Sequence, residues 1–446
     1  MEYFFRNYGP AIPQGCYSTQ QPLQPEAPIA MQRSNCLSGG LFDEFPQQFL
    51  PMQFGGLLMP GWTNSGRPNF AGQRKNINTT LVETGGVDSN GEGDAHAQCV
   101  EDIVKTGYPE GSVNIMGLDD PNAPPDPDAN KFIDLYSNVT TSDGLNRLID
   151  TSSTDMLDKM SKQIKNITEQ GKTNVINASF SFCRDDVYHK VMRALMENPS
   201  LSSVVGLKSD DTAKIVYDDN GEIQFPQNVA EAVAKYVNNE LDTPDSAFQK
   251  SLSGYQDATQ QAAHKGIITV VAAGNNRKDN TPFGAKGRDT NFLAESPYVV
   301  SVAASQKADN DPNARQIADF SSWGDGQYNP TVSANGVNVA TKLGPQNGTS
   351  FAAPEVSATV AQMLKANPNL TFQQVKSILR NTATDVVHDS TISDGAGDVN
   401  STQAISEARA WNEPFSPSLD FFTQFKLKMF QLFSRFNHFN TPYRSA

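Results

Sequence analysis

The segment Asn347-Gly348-Thr349-Ser350-Phe351-Ala352-Ala353-Pro354-Glu355-Val356-Ser357-Ala358 holds the residues of clearest chemical potential. Gly348 permits a tight backbone entry and Ser350 then stands at the start of a helix. Pro354 is expected in the first turn, where amides have no intrahelical acceptor. A serine so placed sits at the positive end of the helix dipole. An oxyanion formed beside it is stabilised, and its own amide can donate to that oxyanion. Ala352, Ala353 and Ala358 are small, so the helix can run buried against a sheet. The chemistry this points to is nucleophilic attack on an acyl carbon. The plainer reading of this window alone is a capping serine on an ordinary core helix.

A serine hydroxyl needs a proton acceptor to act as a nucleophile near neutral pH. Five histidines are available: His96, His189, His264, His388 and His438. His189 and His264 lie in helix-like stretches bordering an insertion, His388 follows a C-terminal helix, and His438 is in the tail. His96 alone precedes a helix near the N-terminal part of the sheet. Taken by itself it reads as a surface histidine; beside a nucleophilic serine it is the candidate base.

The run Gly348-Thr349-Ser350-Phe351-Ala352-Ala353-Pro354 resembles the nucleophile motif of the subtilisin-like serine peptidases, which implies Ser350 as nucleophile. Val270-Val271-Ala272-Ala273-Gly274-Asn275 is similar to that family's apolar strand ending in an oxyanion-hole asparagine, a role that falls to Asn275. Val175-Ile176-Asn177-Ala178-Ser179-Phe180-Ser181 resembles its substrate-binding strand. The implied substrate-binding residues are Ser179, Phe180, Ser181, Ala273 and Gly274, pairing through their main chain with an extended peptide. Ser181 stands where the family usually has glycine, which alters the primary pocket. Phe320-Ser321-Ser322-Trp323-Gly324, Ser296 to Val302 and Gly395-Ala396-Gly397-Asp398-Val399-Asn400 also match family segments, while the family's Ala-Pro-Gly becomes Ala334-Asn335-Gly336. Asp94-Ala95-His96-Ala97-Gln98-Cys99-Val100 can be set on the His-Gly-Thr-His-Val motif with His96 as base. In Leu81-Val82-Glu83-Thr84-Gly85-Gly86, Glu83 takes the place of the acidic triad member, with Asp88 as alternative. The resemblance covers residues 76 to 411. It implies an endopeptidase working through an acyl-enzyme. The alternative is a catalytically impaired relative that binds peptides or acts as a scaffold. Sedolisin-like enzymes, which use Glu and Asp at acidic pH with an oxyanion-hole Asp, are disfavoured by Asn275 and the available His96.

The elements that must position these residues alternate along the chain. Strand signals at Thr79 to Val82, Val113 to Met116, Val175 to Phe180 and Ile267 to Ala273 are interleaved with helix signals at Ala97 to Lys105, Leu145 to Ile167 and Tyr255 to His264. Unbroken apolar strands in β-α-β order predict an α/β fold: a mainly parallel sheet with helices on both faces, the three-layer arrangement of the family it resembles. The stretch from 183 to 253 reads as an insertion with a helix over Val229 to Leu241 and a hairpin between Ile215 and Phe225, turning at Asp219-Asn220-Gly221.

Thirty-five Lys+Arg against 49 Asp+Glu in 446 residues leave a formal charge of -14. That argues against nucleic acid as a partner. Apolar runs are strand-sized, so no transmembrane segment is expected. Residues 1–75 are Pro/Gln-rich and read as an irregular arm. The first residues show no secretory signal peptide, so the expected location is cytoplasmic or reached by a non-classical export route. Residues 412–446 form a tail in which Phe422, Phe425, Met429, Leu432, Phe433 and Phe436 recur at helical spacing beside Lys426, Lys428 and Arg435. Such a helix docks on the protein itself or on a membrane surface. Four cysteines, Cys16, Cys36, Cys99 and Cys183, are read as free thiols. No cofactor is required by the motifs. The acidic loop Asp119 to Asp128 could hold structural calcium, although its spacing matches no named loop and a solvated loop is the plainer reading.

Overall fold

The computed structural model of the chain describes residues 76–84, 94–119, 139–218, 223–276, 290–308, 311–323, 329–386 and 395–411. The expected N-terminal arm, the C-terminal tail, Asp88, His388, His438, the acidic loop beyond Asp119 and the Asp219-Asn220-Gly221 turn lie outside the described residues.

The apolar runs pair as neighbours in one sheet. Its strands are β1 (Asn78–Glu83), β2 (Ser112–Gly117), β3 (Val175–Ala178), β6 (Ile268–Ala272), β7 (Val299–Ala308), β8 (Asp311–Ile317) and β9 (Val332–Asn335). The order runs β2-β1-β3-β6-β7-β8, with β9 beside β7. Every pairing is parallel except β7 with β8. The registers Val82↔Ala178, Ala178↔Val271 and Ala272↔Val302 bring the C-terminal ends of β1, β3 and β6 together along one edge of the sheet. Ligands of parallel α/β sheets gather at that edge.

The period-2 alternation of β-structure divides these strands between two cores. Val82, Ile176, Ala178, Val271 and Val299 face one cluster. Val175, Ile268, Val270, Ala272 and Val300 face the other. The first face is covered by α2 (Ser142–Gln170), α3 (Arg184–Glu197), α4 (Gln227–Asp242) and α5 (Ala247–His264); the second by α6 (Thr349–Ala366), α7 (Phe372–Thr382) and α8 (Ser401–Ala410). On α1 (Ala95–Gly107), Val100 and Val104 pack on Leu81 of β1. Helix α2 starts on Thr141, whose side chain accepts from Gly144 N, and stops at Gly171 in the left-handed region at φ 64. The fold is α/β, mainly parallel and helix-covered, as its apolar strands require.

The insertion is packed rather than loose. Arg184, buried on α3, donates to Asn238 Oδ1 at 3.1 Å and Asp242 Oδ1 at 2.9 Å on α4, and its guanidinium lies 5.6 Å from the Phe248 ring centroid. Tyr236 of α4 donates to Asn146 Oδ1 of α2 at 2.6 Å. The expected hairpin is present as β4 (Val216–Tyr217) and β5 (Ile223–Gln224). Cys99 and Cys183 are free and buried. Among the described residues no helix is long and apolar enough to cross a membrane, and no group of three or more His, Cys, Asp and Glu could hold a metal ion. Asp119, at the start of the acidic loop, pairs with Lys159 at 2.9 Å.

Two sequence expectations shift. Strand β3 stops at Ala178 instead of reaching Phe180, because the Phe180 carbonyl bonds to a side chain, Asn291 Nδ2 at 2.9 Å, rather than to a neighbouring strand. Pro354 lies beyond the first turn of α6, which begins at Thr349. The proline therefore removes a helix hydrogen bond, the one its N–H would have made to the Ser350 carbonyl.

Between β9 and α6, a short hairpin of β10 (Val339–Thr341) and β11 (Gly344–Gln346) leads into the Ser350 segment. Its base is fixed by Gly336, whose N–H donates to Ser305 O at 3.0 Å and whose carbonyl accepts from Gly348 N at 2.8 Å. A Cβ on residue 336 would stand 2.4 Å from Ala304 Cβ and 2.9 Å from Gly348 O. This close approach explains the glycine and yields a prediction. Gly336→Ala should destabilise the protein by about 1–3 kcal/mol through overpacking, measured by chemical denaturation. A neutral result would show that the contact is slack.

Candidate active site

Each chemically competent side chain is delivered by the end of a regular element. Glu83 is the last residue of β1, and its carbonyl is fixed by Leu118 N at 2.7 Å. Helix α1 opens on Asp94, whose side chain accepts from Ala97 N at 2.8 Å, and this cap places His96 in the first turn. His96 Nδ1 and Glu83 Oε2 are 3.1 Å apart. With the carboxylate ionised, Nδ1 carries the proton and donates, which leaves Nε2 as the imidazole's acceptor. Glu83 Oε1 is buried with no hydrogen-bond partner among the described residues.

The electrostatics follow from this burial. Desolvation opposes a charged imidazole, but the hydrogen bond it donates to Glu83 and the negative charge there outweigh it, so His96 is held above its ordinary 6.5. Burial also pushes Glu83 above the usual 4.5, and contact with His96 offsets only part of that rise. Of the other described histidines, His189 sits on α3 with its Nδ1 2.9 Å from Asp185 O, and His264 ends α5.

The other half of the site joins β6 to α6. Asn275 follows β6, and Thr349 is the first residue of α6. Thr349 N and Thr349 Oγ1 both donate to Asn275 Oδ1, each at 2.9 Å, and Gly274 N donates to Thr349 Oγ1 at 3.2 Å. These donors fix the carboxamide oxygen and direct Nδ2 outward. A Cβ on Gly348 would lie 3.0 Å from Ser350 Oγ and 3.6 Å from Asn275 Nδ2, so both groups border the same space. Gly348 has φ 150 and Gly274 φ 112, both in the region that favours glycine. Ser350 is the second residue of α6, whose first-turn amides have no helical acceptor. Phe351 packs on the His96 ring with centroids 5.4 Å apart, so the two halves meet beside Ser350.

The expected substrate segments leave the sheet next to this point. Ser179 is buried, its hydroxyl accepting from Asn177 Nδ2 at 2.8 Å; Asn177 Oδ1 in turn accepts from Ser357 Oγ of α6 at 2.8 Å. Phe180 and Ser181 are half-buried. Ala273 pairs through its N–H with Val302 O at 2.9 Å. Thus Glu83 with His96, and Asn275 with the Gly348–Ser350 turn, are brought together. Sequence reading passed over Thr349, Asn291, Asn177 and Ser357 as contributors. Only Thr349 had a local signal, its place beside Ser350.

Fold and site together define a parallel α/β protein with a serine at a helix N-terminus, an imidazole backed by a buried carboxylate and an outward asparagine amide. The subtilase family model matches residues 149–399, more than half of the chain, and the chain belongs to that family. The matched region includes Asn275 and Ser350; Glu83 and His96 precede it. Similar curated proteins include the serine protease AprX of Bacillus subtilis, 30% identical over 149 residues, 28% of this chain and 32% of that protein. Subtilisin of Bacillus pumilus is 29% identical over 182 residues, 38% of this chain and 58% of that protein. The chain thus spans less than two thirds of either relative. Among solved structures, the epidermin leader peptide processing serine protease EpiP of Staphylococcus aureus is 16% identical, with 76% of each chain covered and a TM-score of 0.42.

The carboxylate contact has a direct readout. Glu83→Gln removes the charge that stabilises the imidazolium while leaving the burial that opposes it. The His96 titration, followed by NMR, should therefore move to lower pH by about 1 unit or more. An unmoved titration would show that Glu83 does not set the His96 charge.

Proposed function

We propose that the chain is a serine endopeptidase that hydrolyses peptide bonds of protein substrates. In this reading residues 76–411 are the peptidase domain, carrying the 183–253 insertion, and residues 1–75 and 412–446 are appendages. The observation that carries the proposal is the Asn275 carboxamide held oxygen-inward by Thr349, so that its donors face the space beside Ser350 Oγ.

An extended peptide lies along residues 179–181 and 273–274, held by main-chain hydrogen bonds. His96 Nε2 takes the Ser350 proton as Oγ attacks the scissile carbonyl carbon, and the carbonyl becomes a tetrahedral oxyanion. Asn275 Nδ2 and the Ser350 amide donate to that oxyanion, with the α6 dipole adding to the field. His96, now an imidazolium stabilised by Glu83, gives the proton to the departing amine as the C–N bond breaks. Water then enters, loses a proton to His96, and hydrolyses the acyl-enzyme by the same steps in reverse. A raised His96 pKa means that this base is protonated over more of the acidic range, so the rate climbs as pH rises through a value above 6.5.

The peptide-binding alternative makes the opposite prediction for turnover. Ser350→Ala should abolish hydrolysis of a denatured protein substrate at unchanged thermal stability. Asn275→Ala should lower kcat by about 10²–10³. A well-folded wild type that hydrolyses nothing would favour the binding module, and activity confined to strongly acidic pH would favour a carboxylate mechanism.

A further inference from the structure

Strands β3 and β6 run in register to Ala178↔Val271 and then diverge. The chains leaving them, residues 179–181 and 273–274, are those that the proposed function assigns to substrate, and the inference below rests on that assignment. A side chain of the bound peptide entering between them goes into the wedge where they part.

That wedge is already occupied. Asn291 is fully buried, and its Nδ2 donates to Phe180 O at 2.9 Å on one wall and to Ala272 O at 2.7 Å on the other. Its Oδ1 accepts from Phe182 N at 3.3 Å and Leu293 N at 3.1 Å, and its own main-chain N–H donates to Ala273 O at 2.9 Å. Two carbonyls reached by one nitrogen leave no room for a side chain between them. Both amide hydrogens and both oxygen lone pairs are used, so the carboxamide cannot swing aside without stranding buried polar groups. Behind it the Phe182 and Phe292 rings meet edge to face with centroids 5.7 Å apart, and Phe292 N donates to Phe182 O at 2.8 Å. The wedge is therefore closed by a polar group whose hydrogen bonds are all committed to the protein, next to packed rings.

We infer that Asn291 sets the depth of the primary specificity pocket and restricts the enzyme to peptides with a small residue, Gly, Ala or Ser, on the acyl side of the scissile bond. A Phe, Tyr or Leu there would have to displace the carboxamide. Asn291 is thus a specificity residue that acts by filling space, with every polar atom committed to the protein.

The test uses the full chain on a denatured protein mixture, with cleavage sites read by mass spectrometry. Wild type should cleave after Gly, Ala and Ser at least ~10-fold more efficiently than after Phe, Tyr or Leu. Asn291→Gly, which removes the carboxamide, should raise cleavage after the large residues ~10-fold or more relative to the small ones. Should that variant fail to fold, the wild-type profile alone decides. Cleavage by wild type chiefly after large residues would overturn the inference while leaving the peptidase reading intact. An absence of any cleavage would overturn both.

Discussion

Two hydrogen bonds from Thr349 to a single oxygen of Asn275 tie the start of the longest buried helix on one face to the end of a central strand. Thr349 opens α6 and Asn275 lies three residues past the end of β6, so this tie sets where α6 begins and which way the Asn275 amide points. Its geometric demands spread outward. Gly348 must adopt φ 150 to turn into the helix, and Gly336 must lack a Cβ to let that turn approach. Gly274 is likewise bare because a Cβ there would stand 2.9 Å from Ser322 Oγ. The small residues Ala352 and Ala353, both fully buried, then let α6 lie against the sheet. A second polar tie, from Ser357 through Asn177 to Ser179, repeats the connection about two turns further along the helix and couples it to the proposed substrate segment.

Against this rigid half stands an electrostatic one. Glu83 and His96 come from a strand and a helix only 13 positions apart, and burial makes their mutual attraction strong. Burying a carboxylate is costly unless it is paired. Glu83 satisfies one oxygen with His96 and leaves the other without a partner among the described residues. Both observations agree with a carboxyl raised by desolvation and an imidazolium held up by the charge beside it.

The fold was legible in the sequence because parallel strands buried on both faces read as unbroken apolar runs, and such runs at 175–178 and 268–272 could not be served by a half-exposed sheet. Ser350 and Asn275 stand out through their resemblance to family motifs, and the glycines in those motifs, Gly348 and Gly274, adopt positive φ in the structure. Residue types alone put Pro354 in the first turn, whereas the Thr349–Asn275 tie starts the helix early enough to carry the proline past it. Asn291 was invisible because its partners Phe180 and Phe182 lie 111 and 109 residues away and no local pattern announces them. The end of β3 is hidden from the sequence on the same ground, since a side chain from far along the chain, and not a strand, meets Phe180.

In the proposed mechanism everything turns on Ser350 being an activated nucleophile. The most direct measurement is mass spectrometry of the full chain after treatment with a fluorophosphonate, with the adduct mapped to a peptide. One stoichiometric adduct on Ser350 is expected, formed more slowly in His96→Ala. A well-folded protein that forms no adduct, or forms it on another residue, would contradict that mechanism.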